Sequence, residues 1–331
     1  MPTRATLLLA ALLLAARCGG APPPPEGPQD PAARTSSAQA GSSGCQAAHP
    51  LEPGTHRLRS GELERRFLLS LPDGDDPHPV LLDLHGLGST AAQQAAYSRL
   101  PEEGSRRGYI VATPQAAEGR MGWTLPHTAG PDDTAFLTAL LDHLERGLCV
   151  DDRREFAAGL SYGAAMATAL ACALDGRLSG VAAVAGLNIV RPCERRPPPT
   201  TVVAFHGTAD RIVPYHGGHP FQDATGELRT LADLVVLEPV EDAAAGWARL
   251  LGCTGRTTTT LPDTPPDTLS ARIRVRDWKS CPGGTTLRLY TIDGGGHTWP
   301  GPVEVPWLGA TARDLDATRL ILDAFDRAPS R

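Results

Sequence analysis

Short stretches of this chain run almost without polar interruption, and longer stretches repeat apolar residues at helical spacing. The short runs are Phe67-Leu68-Leu69-Ser70-Leu71, Val80-Leu81-Leu82-Asp83-Leu84, Tyr109-Ile110-Val111-Ala112, Val181-Ala182-Ala183-Val184, Val202-Val203-Ala204-Phe205 and Leu287 to Ile292. Each has strand length and is closed by glycine, proline or a polar turn, as Pro72-Asp73-Gly74 closes the first. Arg154 to Ala158 reads as a further strand. Helices are expected from about Ala92 to Arg107, from the Asp132-Asp133 cap to about Arg146, from Ala164 to Leu174, and from about Ala310 to Phe325. Strands alternating with helices, and apolar throughout, predict an α/β fold: a mostly parallel sheet with helices on both faces. Such sheets place their ligand sites at the carboxyl ends of the strands. Pro197-Pro198-Pro199 reads as a connector and Thr254 to Ser270 as a loop.

The ends divide the chain. Arg4, the apolar segment Ala5 to Ala16 and Arg17-Cys18-Gly19-Gly20 read as a secretory signal over residues 1–18, too short for a spanning helix. Cys18 also invites a lipoprotein reading, although Arg17 is not the small residue that lipidation sites place before the cysteine. Residues 19–44, rich in Pro, Gly, Ser, Ala and Gln, read as a disordered linker. Residues 45–331 are left as one catalytic-sized domain. A net charge of -6 argues against a nucleic-acid surface. Lys279 is the only lysine, so no lysine-bearing phosphate loop exists. Cys18 aside, six cysteines remain, and their spacing suggests Cys45 with Cys149, Cys172 with Cys193, and Cys253 with Cys281, one of fifteen connectivities. No cysteine or histidine cluster has metal-site spacing, and His216-Gly217-Gly218-His219 reads as a loop, so no metal is expected.

Gly159-Leu160-Ser161-Tyr162-Gly163 lies between the Arg154 strand and the Ala164 helix. A serine at a sharp strand-to-helix turn, flanked by small residues, is the nucleophile elbow of an α/β-hydrolase fold. A serine hydroxyl needs a base, and the base an orienting acid, in the chain order Ser, Asp or Glu, His. Asp210, in Phe205-His206-Gly207-Thr208-Ala209-Asp210, and His297, in Gly294-Gly295-Gly296-His297-Thr298-Trp299, follow strands in that order. Asp293 is a competing acid but lies close in sequence to His297, and His206 reads as support for the Asp210 loop. The backbone amides of Leu87, in His85-Gly86-Leu87-Gly88, and of Tyr162 are the expected oxyanion-hole donors. Trp123 and Trp299 are candidates for an aromatic substrate wall. Two rival readings are an exported binding module without catalysis and a dinucleotide-binding oxidoreductase. The latter rests on Gly86-Leu87-Gly88-Ser89-Thr90-Ala91, but the next strand ends Ala112-Thr113-Pro114 without the acid that would hold a ribose.

Together these motifs resemble the secreted polyhydroxyalkanoate depolymerase and feruloyl esterase family of α/β-hydrolases. The matching stretches are Leu84-His85-Gly86, Gly122-Trp123, Asp132-Asp133, Cys149-Val150-Asp151, the serine pentapeptide, Phe205 to Asp210, Cys253, and Gly296-His297-Thr298-Trp299-Pro300-Gly301. The sequence departs from the family pattern at Tyr162, Ala164 and Leu87. The resemblance implies cofactor-free hydrolysis of a carboxylic ester by Ser161, Asp210 and His297 in an exported protein. The implied partner is an ester: a small molecule, a plant cell-wall ester or a polyester. A membrane is met only through a lipid on Cys18.

Overall fold

In the computed structural model, which describes residues 41–48, 50–191, 193–261 and 273–331, the apolar runs become the middle of one sheet. Its strands are β1 (Gly54–Ser60), β2 (Leu63–Ser70), β3 (His78–Leu84), β4 (Ile110–Pro114), β5 (Val150–Leu160), β6 (Leu178–Val184), β7 (Thr201–Gly207), β8 (Gly255–Thr260), β9 (Ile273–Lys279) and β10 (Leu287–Ile292). Their spatial order is β1-β2-β4-β3-β5-β6-β7-β10-β9-β8. The six central strands, β4 to β10 in that order, are parallel, and antiparallel pairs flank them on both sides. The helices are α1 (Ala91–Ser98), α2 (Leu100–Arg106), α3 (Asp133–Gly147), α4 (Tyr162–Ala173), α5 (Gly226–Ala232), α6 (Val240–Leu251) and α7 (Ala317–Asp326).

Alternate residues of the central strands enter two separate cores, as the period of two requires. Val80, Leu82 and Leu84 pack with α3, α4 and α6, around Phe136, Met166 and Trp247. Leu81 and Phe156 face the other way, onto Leu100 of α2 and Leu322 and Phe325 of α7. The parallel strands are therefore buried on both faces, which is why they read as unbroken apolar runs.

The structure differs from the sequence reading in several places. The helix expected from Ala92 to Arg107 breaks at Arg99, which adopts φ 56 between α1 and α2. Pro101 at the second position of α2 explains the break, because it cannot donate to the preceding turn. The last helix begins only at its Asp316 cap, so Ala310 to Leu315 are not helical. Gly255–Thr260, expected as loop, is strand β8, and residues 262–270 of that expected loop lie outside the described residues. Strands β1 and β9 and helices α5 and α6 add to the elements read from sequence.

Disulfides join Cys45–Cys149, Cys172–Cys193 and Cys253–Cys281, the pairing that spacing suggested. The first ties the entry of the chain to the start of β5. Ser42 already donates its N–H to Val150 O at 2.8 Å, so the linker expected to reach Gly44 gives way to folded structure before that residue. The signal expected over residues 1–18, with Cys18, lies outside the described residues.

Candidate active site

Ser161 follows β5 and precedes α4, with φ 56 and ψ −118. That conformation is rare for a residue with a side chain and costs on the order of 1–3 kcal/mol. The flanking glycines follow from the same turn. A Cβ on Gly159 would lie 2.4 Å from the Gly163 carbonyl carbon, and one on Gly163 would lie 2.0 Å from Leu84 O. The turn is pinned from outside by the Ser161 N–H, which donates to Val184 O at 2.8 Å. Helix α4, apolar on nearly every side, buries Gly163 to Ala171.

Strand register carries the other two residues to the same edge. Leu160 is level with Val184, Val184 with Phe205, and Phe205 with Tyr290. The segments after β5, β7 and β10 therefore leave the sheet on one side. The loops after β7 and β10 are zipped together: Thr208 N–H donates to Ile292 O at 2.9 Å and Ala209 N–H to Gly295 O at 2.9 Å. A Cβ on Gly207 would sit 2.1 Å from Gly295 O, so this approach needs glycine.

Asp210 and His297 meet there. His297 Nδ1 donates to Asp210 Oδ2 at 2.7 Å, with the two residues 4% and 3% exposed. Asp210 Oδ1 accepts the N–H groups of Ile212 and Val213 at 2.9 and 2.8 Å. His206 Nε2 stands 3.3 Å from Oδ2 and also 2.8 Å from Val213 O. Burial pushes the Asp210 carboxyl up, but the charge of His297 and hydrogen bonds from both histidines outweigh it and hold it well below the usual carboxylate range. With Nδ1 committed to Asp210, the free position of the His297 ring is Nε2. No hydrogen bond joins that ring to Ser161 Oγ among the described residues. The competing acid Asp293 is turned to Arg274, at 3.0 Å.

The loop after β3 is built on His85. Its Nε2 accepts Ala116 N–H at 3.1 Å and its Nδ1 donates to Gly86 O at 2.8 Å. The imidazole is thus held neutral, its pKa lowered mainly by burial. Trp123 Nε1 donates to His85 O at 2.8 Å, and Gly88 N–H to Met121 O at 2.6 Å. No described group accepts the Leu87 or Tyr162 amide. A cavity of about 300 Å³ lies beside them, lined by Leu87, Arg120, Met121, Gly122, Trp123 and Tyr162. A Cβ on Gly86 would contact Leu160 O and Ser161 Cβ at 3.4 Å. This glycine loop therefore packs on the serine turn, which disfavours the dinucleotide reading.

The two tryptophans part company. Trp123, 3% exposed, lines the cavity as well as holding the loop. Trp299 is a correction to the sequence reading: it is 2% exposed, its Nε1 donates to Thr318 at 3.0 Å, and it belongs to the second core. His85 is a further residue of the site, and the His85-Gly86 pair is its signal in the sequence.

A parallel sheet with a strained serine turn after its fifth strand, and an Asp–His pair after its seventh and tenth, defines an α/β-hydrolase. The fold matches acetyl xylan esterase from Aspergillus awamori with a TM-score of 0.54 at 12% identity, over 83% of this chain and all of that one. No family model matches the chain. A protein of Nocardia uniformis subsp. tsuyamanensis named as an esterase, NocK, is 30% identical over 264 residues, 77% of this chain and 75% of that protein. Feruloyl esterase B of Piromyces equi is 28% identical over 248 residues, 70% of this chain. The match covers 42% of that relative's own length. Probable feruloyl esterase C of Aspergillus flavus is 30% identical over 192 residues, 56% of this chain and 67% of that protein, and the chain belongs to the feruloyl esterase family of α/β-hydrolases.

Proposed function

We propose that this protein is an exported serine esterase that hydrolyses carboxylic esters through an acyl-enzyme, with Ser161, His297 and Asp210 as its triad. The observation that carries the reading is the buried Asp210–His297 pair on the strand edge that also carries the strained Ser161 turn. Ser161 Oγ attacks the ester carbonyl carbon while His297 Nε2 takes its proton. The amides of Leu87 and Tyr162 receive the oxyanion, a term worth about 2.7–4 kcal/mol per donor. The C–O bond to the alcohol then breaks, and Nε2 returns the proton to the departing oxygen. Nε2 then takes a proton from a water whose oxygen attacks the acyl carbon; the C–Oγ bond breaks, the acid leaves, and Nε2 returns the proton to Ser161 Oγ. Asp210 fixes the ring tautomer and stabilises the imidazolium.

The cavity beside Leu87 and Tyr162 adjoins the oxyanion amides, so it takes the acyl group. Its volume is at the small end for ligand pockets, which suits a compact acid such as a hydroxycinnamoyl, acetyl or hydroxybutyryl group. Three disulfides and the apolar leader support export, with residues 1–18 as signal and the following stretch as tether. The test is a panel of feruloyl, acetyl-sugar and hydroxybutyrate esters ranked by kcat/KM, with a serine-directed phosphonate as inhibitor. We expect inhibition to coincide with one adduct on the peptide carrying Ser161. Undiminished turnover by Ser161→Ala would refute the assignment.

A further inference from the structure

Two buried charges stand behind the loop after β3. Arg65 of β2 and Asp133, the first residue of α3, pair at 2.7 Å with side chains 2% and 1% exposed. Of the two acids expected to cap this helix, only Asp132 does so, accepting the Ala135 N–H at 2.8 Å. Asp133 is turned inward instead, and its Oδ2 accepts the Thr124 N–H at 2.7 Å. Arg65 Nη2 also donates to Gln115 O at 3.3 Å, and its guanidinium lies over the Phe136 ring at 3.8 Å. The pair therefore grips residues 115–124 at both ends. Taking two charges out of water is costly, and an apolar pair of the same size could neither donate to Gln115 nor accept from Thr124.

Between those ends the stretch has few other ties. Among the described residues, those from 116 to 123 hydrogen-bond only to one another and to the loop after β3. A cavity of about 270 Å³, lined by Arg65 and Arg66 of β2 and by Gln115 to Arg120, lies against it. Yet this stretch carries the bonds that place the loop. Ala116 N–H and Trp123 Nε1 both donate to His85, and Met121 O accepts the Gly88 N–H, so Leu87 is bracketed by residues it holds. Gly122 packs on the site itself: a Cβ there would lie 3.0 Å from Leu87 Cδ1 and 3.2 Å from the Tyr162 ring. Resting on the esterase reading above, we propose that Arg65 and Asp133 are positioning residues for the oxyanion hole. They fix the two ends of residues 115–124, and that stretch fixes the Leu87 amide. An amide moved off its line still admits the substrate but donates poorly to the developing oxyanion, so the loss falls on the chemical step.

The test measures kcat and KM on p-nitrophenyl acetate, with Tm and circular dichroism recorded for each protein. The paired variant Arg65→Met with Asp133→Leu removes both ties without leaving a lone buried charge, so its Tm should stay near the wild type's. We expect its kcat to fall about a hundred-fold with KM held within about three-fold. Should the paired variant lose its fold, Arg65→Met alone carries the same expectation. Arg65→Lys should keep kcat within about ten-fold of wild type, because the single nitrogen Nη2 makes both polar contacts of Arg65. Arg177→Met is the control: it strips the partner from Glu155, a buried carboxylate on β5 level with the start of β6. That variant should lower Tm and leave kcat unchanged. Wild-type kcat in the folded paired variant, or an equal loss in Arg177→Met, would overturn the positioning role alone. A wild-type protein inactive on p-nitrophenyl esters would overturn the esterase reading, and this role with it.

Discussion

Asp83 gives the sharpest quantitative test of how this site is supported. It lies on β3, two residues before His85, and is fully buried. Gln94 Nε2 and Ser98 Oγ each donate to its carboxylate at 2.7 Å. Burial raises its pKa from 3.8 to about 6, and those two hydrogen bonds only partly offset the rise. The folded state therefore binds the Asp83 proton more tightly than the unfolded chain does. Stability from this group is full below about pH 4 and is lost as pH rises through about 6. A gap of roughly two pKa units corresponds to about 3 kcal/mol between those limits. Asp83→Asn keeps the shape and the two partners but cannot ionise. Urea unfolding of both proteins at pH 4.0 and 7.5, disulfides intact, gives the difference directly, since His85 and all other groups cancel in the comparison. We expect the variant to gain up to about 3 kcal/mol on the wild type at pH 7.5 relative to the difference at pH 4.0. Parallel pH dependence in the two proteins would show that Asp83 is not held as a costly buried anion.

Two further substitutions probe the site. Asp210→Asn leaves the Ile212 and Val213 amides and two imidazoles facing a side chain that accepts at only one atom. Turnover of a p-nitrophenyl ester should fall about 10⁴-fold, and a loss of less than ten-fold would exclude Asp210 as the orienting acid. Gly163→Ala would place a methyl 2.0 Å from Leu84 O and 2.7 Å from His85 O, prising the serine turn from the loop after β3. We expect about 1–3 kcal/mol of destabilisation by thermal unfolding, with kcat falling more than KM rises; wild-type kcat would show that the contact does not position the serine.

What could be read from the sequence follows burial. Strands β3, β6, β7 and β10 are covered on both faces, so their apolar runs announce them. Strand β8 is at the sheet edge, and Arg256 to Thr260 are all exposed, so it has no apolar face to show. Helix α6 starts at Pro239 with no side-chain cap, which removes the usual start signal. The proposed triad of Ser161, Asp210 and His297 was legible because each member needs glycines beside it for close backbone contacts, and those leave a spelling in the chain. Tryptophan roles were not legible in the same way. Trp299 and Trp307 both lie near prolines and glycines after β10, yet one is core and the other exposed. Only the packing of α7, which brings Thr318 to Trp299 Nε1, decides between them.

The glycine contacts also explain how a strained serine is tolerated. Gly159 meets Gly163 within the turn, Gly163 meets Leu84 and His85, Gly186 meets Ser161 O, and Gly207 meets Gly295. The last three contacts join backbone from different strand ends, and the Ala185 N–H donates to Phe205 O at 2.8 Å between the β6 and β7 ends, so the loops after β3, β5, β6, β7 and β10 form a connected rim with little side-chain padding between them. The positive φ of Ser161 is then over-determined: relaxing it would break the hydrogen bond to Val184 O and pull the start of the buried helix α4 out of the core. Helix α4 is tied at its far end as well, through Cys172–Cys193. Strain at Ser161 and rigidity of the rim are thus one property, and a side chain added at one of these glycines is expected to shift the proposed catalytic groups without touching them.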